Sequence, residues 1–126
     1  KNFDPENKGL SVLSLPQGAG YLYLRMAVKK WMDKLETLSD HIIYIGHLKD
    51  KMLEKKGKEV SAKDLDLTGK IRNIACSNSD AIGYVYRDKD KTMISFDSTD
   101  DVNAGSRCEH LKGQVMELDW GKIYID

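Results

Sequence analysis

The chain has 126 residues, 40% of them apolar and 32% charged, so its size and composition suit one water-soluble domain. Its 20 basic and 20 acidic residues cancel, so bulk charge points to no class of partner. No apolar run approaches the roughly 18 residues of a membrane span, and Cys76 and Cys108 lack CxxC spacing, which reads as two reduced thiols in a cytoplasmic protein.

Residues 1–14 open polar, with Asp4-Pro5 and Lys8-Gly9 marking irregular backbone. The segment Leu15-Pro-Gln-Gly-Ala-Gly-Tyr-Leu-Tyr-Leu-Arg25 has the layout of a phosphate-binding loop, glycines running into a helix. The chemistry is missing, because no Lys with a following Ser or Thr comes after Gly18 or Gly20. The Gly-Lys pairs at 57/58, 69/70 and 121/122 are followed by Glu59, Ile71 and Ile123, so none completes such a loop. The glycines are expected to make a tight turn before the helix.

Tyr21, Leu24, Val28, Trp31, Leu35 and Leu38 then repeat at spacings of three and four, which predicts an amphipathic helix with that stripe buried. His41-Ile-Ile-Tyr-Ile-Gly46 is nearly continuous and β-branched, which predicts a strand buried on both faces in a parallel sheet. His47 stands just past it, where open α/β sheets hold ligands. Lys49, Lys51, Lys55, Lys56, Lys58 and Lys63 follow in a charged stretch with no sustained period, read as a mobile loop able to track a phosphate backbone.

Asp66-Leu67-Thr68 leads into a predicted helix over 69–78 that packs Ile71, Ile74 and Ala75 and turns Arg72 elsewhere. Residues 81–86 and 92–96 read as a β-hairpin with a charged tip. Residues 97–110 are turn-rich, and 115–124 suit an edge strand or a short covering segment. Tyr84 and Tyr86 share one face of their strand, and packing is the simpler reading of them. The histidines at 41, 47 and 110 lack the pairing of a zinc site.

The order GAGYLYLR, HIIYIGHLKDK, basic loop, DLDLTGKIRNIACSNSDAIGYVYR and hairpin resembles the C-terminal half of phage-encoded RecA-like P-loop ATPases, the recombination and single-strand-annealing-associated group. The resemblance spans roughly residues 11–97. It implies an α/β fold, a partial RecA-like twisted sheet that is mostly parallel with a C-terminal antiparallel hairpin, flanked by helices. It implies one domain over 1–126, with the Walker A and Walker B portions upstream. By that likeness His47 is the γ-phosphate sensor and Lys49, Lys51, Lys55, Lys56, Lys58 and Lys63 contact single-stranded DNA. Lys70, Arg72, Arg87 and Arg107 are candidate phosphate or subunit-interface contacts. ATP and Mg2+ are the cofactors implied for the parent protein, with none held tightly by this chain alone and no resident metal. Self-association into a filament or ring is expected, and no membrane partner. Two alternatives stand beside this one: a non-catalytic structural or interaction domain keeping half of the fold, and a small nucleic-acid-binding module.

Overall fold

The computed structural model describes residues 15–55, 57–67, 69–99 and 101–125, with backbone alone for 51, 53–55, 58–60 and 69. A 3-10 turn over Pro16–Gly18 opens it, with Gln17 and Gly18 both at positive φ, 59° and 70°. Gly18 thus makes the tight turn that the glycines led us to expect, and helix α1 (Ala19–Glu36) starts there. Thr37 ends α1, its backbone N–H and its hydroxyl both returning to carbonyls of the last turn.

The chain then runs from 41 to 47 without regular secondary structure and enters an antiparallel hairpin, β1 (Leu48–Lys55) with β2 (Lys58–Leu65). Helix α2 (Gly69–Asn78) follows, then β3 (Ala81–Ile82), β4 (Tyr84–Asp88), β5 (Lys91–Ser95), β6 (Gly105–Ser106), β7 (Val115–Glu117) and the short helix α3 (Trp120–Ile123). β4, β5 and β7 form a three-stranded sheet, and β3 pairs with β6.

This architecture corrects the expected fold class. The sheets are three small antiparallel ones, not a mostly parallel RecA-like sheet. The reason lies in the connections. Parallel strands need a crossover of a dozen residues or more, whereas β1–β2 and β4–β5 are joined by tight turns that only antiparallel strands allow. Among the described residues the sole parallel pairing is an isolated bridge between Lys63 and Val102.

Three local expectations change with it. The run 41–46 forms no strand, and Ile45 is 94% exposed; among the described residues no strand pairs with this run. The basic stretch is an ordered hairpin: Gly57, at φ 74°, takes the left-handed conformation its turn requires. On α1 the buried side runs through Gly20, Leu24, Val28, Met32 and Leu35, while Tyr21, Trp31 and Leu38 of the expected stripe are exposed. Helix α2 keeps its predicted bounds, and the predicted hairpin is present as β4–β5, with Ala81–Ile82 paired with β6 instead and the hairpin running to a tighter tip at 89–90.

The main core gathers Ile94, Phe96 and Leu111, covered by Ala81, Cys108, Met116, Leu118 and Ile123. Gly83 permits the closest approach there, since a Cβ on it would meet the Ile94 Cδ1 at 2.6 Å. A second buried layer lies where α1 packs on α2, with Met32 and Ile71 the buried side chains of the two helices. Leu111 is 2% exposed, so Leu111→Ala is expected to destabilise this 126-residue chain by about 2–5 kcal/mol in urea unfolding. Ile45→Ala is expected to stay within about 0.5 kcal/mol, and a larger cost would mean that Ile45 is buried.

Candidate functional site at the neck of the hairpin

His47 is the last residue before β1. Its carbonyl accepts the Asp66 backbone N–H at 2.8 Å, one step beyond the Leu48–Leu65 pair that begins the ladder. His47 and Asp66 therefore close the neck of the hairpin, and the His47 side chain is left facing solvent. The other end of the 41–47 segment is held by ring contact, with His41 against Tyr124 at 4.7 Å between centroids.

Lys49 reaches back to this neck. Its Nζ lies 3.5 Å from the Asp66 carboxylate and 3.4 Å from the Leu67 carbonyl. Both side chains of the ion pair are well exposed, so it is worth little beyond orientation, about 0–1 kcal/mol. Lys63 lies on the opposite face of the hairpin, because Lys49 pairs with Asp64 and Lys63 with Asp50 across the strands. Its backbone N–H donates to the Asp101 carbonyl at 2.6 Å, and its Nζ sits 3.3 Å from the Tyr84 hydroxyl. Lys51, Lys55 and Lys58 occupy hairpin positions by their backbone alone, and Lys56 lies outside the described residues.

Arg72 is drawn inward. Its guanidinium pairs with Asp64, a carboxylate only 6% exposed, and also donates to the Asn73 side chain at 3.0 Å. The second Asp64 oxygen accepts the Leu65 backbone N–H at 2.9 Å. An unpaired carboxylate at that depth would be costly, and Arg72 removes the cost while fixing α2 against β2. Arg107 is likewise engaged within the chain: it donates to the Ser77 carbonyl at 2.8 Å near the end of α2 and lies 3.8 Å from Asp80. Lys70, on the first turn of α2, and Arg87, on β4, are exposed. The structure thus brings His47, Lys49 and Asp66 together at the neck, and sets Arg72 and Arg107 to holding α2.

Sequence reading missed Asp64 as the partner that turns Arg72 inward. The signal was there in weak form: Asp64 falls on the same hairpin face as the buried Ala62. Among the described residues no three His, Cys, Asp or Glu side chains gather as a metal site. No Gly-Lys-Ser/Thr loop occurs in the sequence.

Cys76 lies on α2 near the Asp64–Arg72 pair, and both cysteines are free thiols. Burial pushes the Cys76 thiol above its ordinary 9.0; Arg72 pulls it down and Asp64 adds to the rise. A raised folded value means the folded state holds its proton longer than the unfolded chain does. The stability this gives is complete below the unfolded value and lost as the pH climbs through the folded one. Unfolding free energies measured from about pH 8 to pH 10.5 should fall more steeply for the wild type than for Cys76→Ala, and parallel curves would contradict this.

Comparison with known proteins bears on what the neck belongs to. Neither a curated protein nor a solved structure matches the chain. A family model described as an AAA domain, AAA_24, matches residues 6–108, which takes in α1, the 41–47 segment, the hairpin, α2 and the β4–β5 pair. Leu111, β7 and α3, which complete the main core, lie beyond the match. With most of its length matched, this chain belongs to the AAA domain family, a family of P-loop AAA-type ATPases.

Proposed function

We propose that the chain is the sensor and DNA-contacting part of a RecA-like ATPase, encoded by a phage or prophage and acting on single-stranded DNA in recombination or replication in the host cytoplasm. Membership of an ATPase family supports the nucleotide half of this reading. The observation that supports a sensor coupled to the hairpin is the 2.8 Å bond from the Asp66 N–H to the His47 carbonyl. It puts an exposed imidazole at the base of a lysine-bearing hairpin. A phosphate oxygen hydrogen-bonded to His47 would pull on the same backbone that closes the hairpin, so nucleotide state and hairpin position would be coupled. The loop cradling that nucleotide would be supplied by sequence other than these 126 residues.

A second reading draws on exposed apolar side chains: Ile43, Tyr44 and Ile45 ahead of β1, and Leu22, Tyr23, Met26 and Trp31 on α1. Large apolar side chains exposed in this number suit an interaction surface. Under that reading the chain is a non-catalytic domain that self-associates.

Turnover by the full-length protein distinguishes the two. ATP hydrolysis should be stimulated by single-stranded DNA and should drop about 10- to 100-fold in His47→Ala, with unfolding midpoint unchanged. Turnover indifferent to both His47 and DNA would remove the sensor reading.

A further inference from the structure

The sheet formed by β4, β5 and β7 has two unlike faces. Alternation turns Ile94 and Met116 into the core and leaves Tyr84, Tyr86 and Met93 on the opposite face. The Tyr84 and Tyr86 rings stack there, with centroids 5.2 Å apart and planes 19° apart. Both are half-buried, and the core cluster is assembled without either of them. Packing in the core therefore does not account for the pair.

A cation is fixed at its edge. Lys63 Nζ lies 5.7 Å from the Tyr84 ring centroid and 3.3 Å from its hydroxyl. The Lys63 backbone is held by its bond to the Asp101 carbonyl, part of a parallel bridge to Val102. An ammonium carries three donors, and the phenol takes one, so donors remain for an anion. Lys49 cannot share this position, being on the other face of the hairpin at Asp66. The nearest acids on the sheet face are Asp88 at the hairpin tip and Glu117, and Glu117 is paired with Lys91 at 3.1 Å. Asp50 stands opposite Lys63 across the hairpin, so the Lys63 ammonium meets the ring pair beside a carboxylate rather than within a wholly positive surface.

We propose that Tyr84, Tyr86 and Lys63 form a stacking site for single-stranded nucleic acid, with a base laid on the tyrosine pair and a neighbouring phosphate held by the Lys63 ammonium. Flat π-faces beside a lone cation suit this ligand, because every unpaired base offers a face to stack on and every nucleotide a phosphate. A duplex keeps its base faces covered and would gain only the Lys63 contact. This site rests on the single-stranded DNA reading above and adds to it the residues that would distinguish single strands from duplex.

The test is equilibrium binding of the full-length protein to a labelled oligothymidine over a range of salt. Tyr86→Leu keeps apolar bulk but removes the π-face, and should weaken binding about tenfold with the salt slope unchanged. Tyr86→Phe and Tyr86→Trp should bind as the wild type does. Lys63→Gln should reduce the salt slope by about 0.7, one phosphate contact on a single strand. Duplex of the same length should bind at least about tenfold more weakly than the single strand. Wild-type affinity in Tyr86→Leu, beside intact single-strand binding, would overturn the stacking site and leave the DNA reading standing. No single-strand binding by the wild type would overturn both. Should Tyr86→Leu fail to fold, the Lys63→Gln slope and the single-strand preference decide.

Discussion

The buried Asp64 carboxylate and its partner Arg72 are the contact on which the arrangement of the rest depends. Asp64 sits near the end of β2, and Arg72 one turn into α2. Removing one partner of a buried pair costs about 3–5 kcal/mol, and the partial exposure of Arg72 places this pair toward the lower end. The pair fixes the angle at which the hairpin leaves α2. The cross-strand register in turn puts Lys63 on the hairpin face that meets Tyr84. Arg107 completes the frame by tying the end of α2 to the loop after β6.

Seen this way Lys49 and Lys63 of the basic stretch do not share one patch. Lys49 serves the neck, where its partners are Asp66 and the Leu67 carbonyl. Lys63 serves the opposite face, beside a stacked tyrosine pair. A β-hairpin separates neighbouring residues onto two faces, and a mobile loop would not. The same element can therefore present one surface toward a phosphate at His47 and another toward a nucleic-acid strand, with the ladder between them rigid enough to connect the two.

What could be read from the sequence followed the strength of local periodicity. α2 and the β4–β5 pair were legible because α2 places Ile71, Ile74 and Ala75 at helical spacing and the hairpin joins two apolar, β-branched and aromatic runs across a charged tip. α1 was placed correctly but turned, because it is apolar on more than one side and the Tyr21 and Trp31 stripe competes with Gly20 and Met32. The run 41–46 has the composition of a buried strand, but composition cannot supply the neighbouring strands, and none is present among the described residues. The β1–β2 hairpin was hidden by its charge. Its signal is the mirror arrangement about Gly57, Leu53 opposite Val60 and Leu48 opposite Leu65, which a search for apolar runs passes over. At the site, His47 was legible from its place after an apolar run. The inward turn of Arg72 was not, since it depends on Asp64, brought close only by folding.

The central claim is that the hairpin is an ordered arm whose position is set by Asp64 and Arg72. Amide hydrogen exchange tests it most directly. Residues 48–65 should be protected in the wild type, with the Lys63 and Asp66 N–H groups among the slower ones, since they donate to Asp101 and His47. In Arg72→Leu that protection should fall while β4 and β5 keep theirs. Equal protection of the hairpin in both proteins, or none in the wild type, would contradict the account.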